Sequence, residues 1–145
     1  MKALDPVIGA WKLNLAKSKF INEPTPFSYK SATRTYTQDS EGLVTGTVNA
    51  VLPDGSLFSE QSIFKSPEDG VYYPHGGNAL IDTFAEERVN NGYTVVLTAK
   101  KGNQVTGAGT RTISPDGKVL TMTFIYLDAN GVMRGHVAAY DRQED

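Results

Sequence analysis

The sequence predicts an all-β protein, an antiparallel up-and-down barrel of about ten strands in one domain over residues 1–145. Three observations carry that prediction. Turn signals recur at short intervals: Pro53-Asp54-Gly55, Glu68-Asp69-Gly70, Gly76-Gly77-Asn78, Asn90-Asn91-Gly92, Lys101-Gly102-Asn103, Ser114-Pro115-Asp116-Gly117 and Asp128-Ala129-Asn130-Gly131. Gly and Asn accept the positive φ that tight hairpin turns require. Between these turns lie runs rich in Val, Thr, Ile, Tyr and Phe, which favour strands. No segment sustains a helical period. Short strands joined by tight turns suit a meander closed on itself, which also removes exposed edges. A two-sheet sandwich is the competing architecture.

Taken in order, strands are expected near 7–15 and 27–38, separated by the least regular region, 16–31, which holds Pro24 and Pro26. A short turn of helix is expected around Leu15 to Lys19. Strands 42–52 and 56–65 flank Pro53-Asp54-Gly55, and 70–73 follows the Glu68 turn. The remaining turns introduce strands at 79–89, 93–100, 104–113, 118–127 and 132–142.

The last two hairpins can be read residue by residue. Four-residue loops at Asp128–Gly131 and Ser114–Gly117 pair Met122 with Val137 and Arg111 with Leu120, and paired residues share a face. One face then holds Gly107, Gly109, Arg111, Leu120, Met122, Phe124, Tyr126, Met133, Gly135 and Val137. The other holds a Thr ladder (Thr106, Thr110, Thr112, Thr121, Thr123) with Arg134, His136 and Tyr140, and reads as solvated. The glycines among large interior side chains either relieve crowding or leave space for a ligand. Arg111 on the interior face needs an acceptor: a protein acid such as Glu86, Glu87 or Asp82, or an anionic ligand head group. A register error of one residue would turn His136 inward.

The chain opens Gly9-Ala10-Trp11-Lys12-Leu13-Asn14, followed by Ala16-Lys17-Ser18-Lys19-Phe20. Gly-x-Trp at the head of a β-meander resembles the lipocalin and wider calycin signature. The longer string resembles small bacterial lipocalin-like proteins. The likeness continues through Asp69-Gly70, Tyr73-Pro74, Arg111, Ser114 to Lys118, and Tyr140-Asp141-Arg142. It implies that Trp11 plugs one barrel end and that Arg142 lies across its indole, a structural pairing. It also implies a cup for small apolar molecules, on a scaffold used by carriers and by cofactor-free isomerases, cyclases and lyases. The segment Tyr72-Tyr73-Pro74-His75-Gly76-Gly77-Asn78 departs from those relatives.

Composition excludes more than it identifies. Lys plus Arg number 14 and Asp plus Glu 16, so no basic field invites nucleic acid. No apolar run is long enough to span a membrane as a helix. No cysteine is present, which removes disulfides, thiol catalysis and thiolate metal sites. With two distant histidines and no nucleotide fingerprint, neither a metal nor a cofactor is expected. The amino-terminal residues carry no apolar leader, so the expected compartment is cytoplasmic, or periplasmic if a leader has been removed. The expected partner is a small-molecule ligand or substrate, with a homodimer left open.

His75, in its Gly-rich loop, is a candidate general acid or base, since imidazole exchanges protons near neutral pH, or else an exposed or locally bonded side chain. Asp82, inside an apolar run with Glu86 following, is the candidate perturbed carboxylate. Arg111, Tyr72, Met122, Phe124 and Tyr126 are the candidate ligand contacts. The leading function is binding of a small apolar or amphiphilic molecule in the barrel. The alternatives are a cofactor-independent isomerase, cyclase or lyase using acid–base catalysis there, and a structural or interaction protein with a filled barrel.

Overall fold

The computed structural model describes residues 4–21, 29–89 and 93–144. Among them lie β1 (Gly9–Ile21), β2 (Ser31–Gln38), β3 (Leu43–Val51), β4 (Leu57–Lys65) and β5 (Asp69–Pro74). Then follow β6 (Thr83–Val89), β7 (Thr94–Lys101), β8 (Gln104–Ile113), β9 (Val119–Leu127) and β10 (Met133–Arg142). They form one antiparallel sheet in the order β4-β3-β2-β1-β10-β9-β8-β7-β6-β5. Consecutive strands pair, and β10 returns to β1, as in an up-and-down barrel. The two ends of that order, β4 and β5, meet at one isolated bridge between Gln61 and Gly76. This seam is the one junction of the barrel without a continuous ladder. No helix among the described residues is long and apolar enough to cross a membrane.

Residues 15–19 do not form the expected turn of helix. β1 runs through them extended, with a register shift against β10 between Asn14 and Lys19. Ser18 Oγ spans the irregularity, donating to the Asn14 carbonyl at 2.7 Å and accepting the Ala139 N–H at 2.9 Å. The expected strand at 79–89 begins only at Thr83, because Asn78 caps a turn, its side chain accepting the Leu80 N–H at 2.9 Å. The Asn90-Asn91-Gly92 turn and the Pro24 and Pro26 segment lie outside the described residues.

Both hairpin registers differ from expectation, with different consequences. In β8–β9, Arg111 pairs with Met122 and Gly109 with Phe124, a shift of two residues that leaves every side chain on its expected face. In β9–β10, Leu127 pairs with Met133 and Phe124 with His136, a shift of one. The cause is the turn: Asp128 Oδ1 accepts the N–H groups of Asn130 and Val132, both at 2.9 Å, and so draws Val132 into the loop. His136 and Tyr140 therefore face inward, while Met133 and Val137 face solvent. This corrects the expected faces of β10.

One end of the barrel is corked. Trp11 is fully buried and donates its indole N–H to the Val7 carbonyl at 2.9 Å. The Arg142 guanidinium lies 4.0 Å from the Trp11 ring centroid, as the resemblance implied. It also donates to the carbonyls of Pro6, Ile8 and Gly117. Gly107 and Gly109 serve packing. A Cβ at Gly107 would meet the Phe124 ring at 2.6 Å, and one at Gly109 would meet the Thr123 carbonyl oxygen at 1.8 Å.

Candidate functional site

Alternation decides what each strand sends inside. β2 exposes Thr33 and Thr35 and turns Ala32, Arg34 and Tyr36 inward. β4 sends in Glu60, Ser62 and Phe64, and β6 sends in Phe84 and Glu86. The interior is mostly filled by these side chains. What remains is a cavity of about 50 Å³. At roughly 10–15 Å³ per enclosed water, that is room for a few waters or a small polar head group.

Two charged groups border the cavity. The first is closed on itself. Arg111, 1% exposed, pairs through Nη1 with Glu86 and through Nη2 with Glu68 Oε2 at 2.6 Å. Arg88 Nη2 donates to Glu68 Oε1 at 2.8 Å and to Asp5 Oδ2 at 2.7 Å. Asp5 also accepts from Ser66 and from the Val7 N–H. Burial pushes the Glu86 carboxyl up, opposed by Arg111. Burial and a hydrogen bond to Asp5 push Glu68 up to about 7. At Asp5 burial also pushes upward, but hydrogen bonds from Glu68 and the Val7 N–H, with the Arg111 charge, hold the carboxyl below its ordinary value. Arg111 therefore takes the protein-acid option rather than waiting for a ligand.

The second group is not closed. The Arg34 side chain is half-buried against the cavity, its Nε enclosed, with no carboxylate of the described residues within ion-pair reach. The Tyr140 ring lies 5.0 Å from it, and the Tyr36 hydroxyl takes one long hydrogen bond at 3.5 Å. Its Nε has no partner. Across the seam, His75 Nε2 and Glu60 Oε2 are 2.5 Å apart, and Asn78 Nδ2 donates to the same oxygen at 3.1 Å. The His75 ring stacks on Phe84 at 5.1 Å, and Phe84 stacks in turn on Phe124 at 6.0 Å. His136, buried on β10, also lines the cavity.

The sequence-derived candidates are thus divided. His75, Arg111, Met122 and Phe124 line the cavity. Tyr126 is buried and stacks on Phe124 at 6.1 Å, one layer away. Tyr72 lies outside, with the Lys100 ammonium 4.1 Å from its ring centroid. Asp82 also lies outside. Half exposed, it accepts the Gly102 N–H at 2.7 Å and sits 3.8 Å from Lys101, a turn-capping position beyond the end of β6. Sequence reasoning missed Arg34 and Glu60 and placed His136 on the solvated face. Arg34 had a signal: it alternates with Thr33, Thr35 and Thr37, the same Thr pattern that marked the outer face of β8 and β9.

Strand order, cork and interior cavity together define a calycin-like β-barrel. No protein-family model matches the sequence, and no curated protein does. Solved structures do. The chain is similar to Rv2717c from M. tuberculosis, with a TM-score of 0.63 and 18% identity over 96% of this chain and 94% of that one. It is also similar to the wild-type fluorescent protein UnaG, with a TM-score of 0.58 and 16% identity over 94% and 97% of the two chains. At these identities the likeness establishes the fold.

Proposed function

We propose that the barrel binds a small amphiphilic molecule through an anionic head group, most simply a carboxylate, that pairs with Arg34. One observation carries this reading: a half-buried guanidinium beside a cavity, its Nε enclosed, with no counter-ion among the described residues. Burying an unpaired charge is costly, and an anion that completes the pair recovers that cost. The planar guanidinium also matches a carboxylate geometrically. Val48, Leu97, Met122 and Phe124 supply apolar wall for a short tail. The site sequence reasoning assigned to Arg111 passes to Arg34, because Arg111 already has two carboxylates.

Isothermal titration with carboxylates from acetate to hexanoate tests the reading. Saturable binding is expected, and Arg34→Met should weaken it at least about tenfold, since a hydrogen bond to a charged group contributes roughly 1.5–3 kcal/mol. Equal binding of the matching alcohols, or of the acids to Arg34→Met, would overturn it.

A further inference from the structure

The pair His75 and Glu60 is built as more than cavity wall. Both side chains are buried, 5% and 7% exposed, and their facing atoms are 2.5 Å apart. Asn78 holds the same Glu60 oxygen, and the Phe84 ring fixes the plane of the imidazole. A carboxylate on Nε2 selects the tautomer with its proton there and leaves a lone pair on Nδ1. That Nδ1 is buried and has no partner among the described residues, and the ring lines the cavity that Arg34 borders. An oriented imidazole with a vacant basic nitrogen, beside a cation able to hold a carboxylate, has the parts needed to take a proton from carbon next to a carbonyl.

We propose that the chain catalyses proton exchange at the carbon beside the carbonyl of a small 2-oxo acid held by its carboxylate on Arg34, with His75 as base. Glu60 is the positioning residue behind it. The inference rests on the binding reading above. In the step, the C–H bond breaks and its proton passes to His75 Nδ1. The C–H electron pair becomes the carbon–carbon double bond, and the carbonyl π pair moves onto oxygen. The imidazolium so formed faces the Glu60 carboxylate, and the enolate charge is set in a cavity bordered by Arg34. Return of the proton to carbon regenerates the oxo acid; its delivery to oxygen gives the enol. No oxidant, metal or second substrate enters the balance. The cavity volume limits the substrate to short acids, of roughly three to five carbons. The other charged or titratable groups facing the cavity are Glu86 and Arg111, paired with each other, Tyr36 on β2, and His136 on β10.

Proton NMR in D₂O tests this, with pyruvate and 2-oxobutanoate as probes and their dissociation constants measured alongside. Wild-type protein should speed loss of the C3 proton signal at least about 100-fold over buffer, within the usual range for a positioned base. His75→Gln keeps a hydrogen-bonding group toward Glu60 but no proton-accepting nitrogen. It should return exchange to the buffer rate while both affinities stay within about threefold, the split expected for a residue acting on chemistry rather than binding. Glu60→Gln removes the carboxylate that orients the base and should slow exchange at least about tenfold while both affinities stay within about threefold. Arg34→Met should lose exchange and binding together. Binding without accelerated exchange by wild type would overturn the catalytic inference and leave the binding reading standing. Undiminished exchange by His75→Gln would do the same. Binding of simple carboxylates but of neither oxo acid would also overturn it, and binding of no carboxylate at all would overturn both readings.

Discussion

Arg34 and Arg111 are two interior arginines with opposite electrostatic settings, and that difference is measurable. Arg111 holds Glu68 and Glu86. Removing one partner of a buried pair strands the other, so Arg111→Met should destabilise by about 3–5 kcal/mol. Arg34 has no carboxylate to strand, so Arg34→Met should leave the chemical-denaturation midpoint unchanged or raised. A large loss for Arg34→Met would mean that it has a protein counter-ion. Glu68 supplies a pH test. Its carboxyl holds a proton up to about 7 in the fold, against an ordinary value of 4.5. The folded state binds the extra proton, so this stabilisation is complete below the ordinary value and is lost as pH rises through about 7. Asp5, held below its ordinary value, works the other way and loses its contribution only as strongly acid pH is reached. Glu68→Gln, neutral at every pH, should therefore flatten the decline seen in wild type between pH 4.5 and about 7. Urea midpoints measured across that window check it, and parallel curves for the two proteins would refute the assignment.

At the scale of elements, the seam between β4 and β5 is the distinctive feature. Two backbone bonds between Gln61 and Gly76, each 3.0 Å, cross it, helped by Glu60 holding His75 and Asn78. The glycines here have a definite task. Gly77 has φ +88°, and a Cβ there would meet the Ser59 carbonyl oxygen at 2.2 Å. Gly77→Ala should thus push the segment off β4 and cost about 1–3 kcal/mol, the usual range for backbone strain. Hydrogen exchange should find the Gln61 and Gly76 amides opening before those of the β8–β9 ladder in the same variant. The Gly-rich setting of His75 was visible in advance. The buried contact between His75 and Glu60 was not, because the two meet across a junction that has no continuous ladder to set a register. The β9–β10 error has a similar origin: one residue of loop length, decided by the Asp128 side chain, reverses an entire strand.

For the whole molecule, the cork of Trp11 and Arg142 joins the first and last strands and so closes the barrel. Trp11→Ala should destabilise by about 3–5 kcal/mol, as for a large buried aromatic, with mostly β-structure retained by circular dichroism below the transition. A change under about 0.5 kcal/mol would be surface behaviour and would contradict its burial. Closure also explains the polar interior. A small barrel packed only with Leu, Ile and Phe would leave no acceptors for Arg111 or Arg88. Here acids from the N-terminal segment, β4, the β4–β5 connection and β6 converge on these cations or on the histidine beside them.

Strand identity was legible in the chain alone, while the Trp11–Arg142 pairing came from the family resemblance. Turn chemistry and alternation act over a few residues, and hairpin pairing transmits a face from one strand to the next without knowledge of the rest. Arg111 could be placed inside for that reason, since a register shift of two residues preserves parity. The partners were decided by tertiary structure. Arg111 meets Glu68 and Glu86, while Arg34 meets no carboxylate among the described residues, and no local rule separates the two: both are single arginines in alternating strands. Which cation finds a carboxylate and which does not depends on what β4, β6 and the N-terminal segment bring across the barrel. Buried charge is stabilised by groups distant in sequence, and only the closed fold brings those groups within reach.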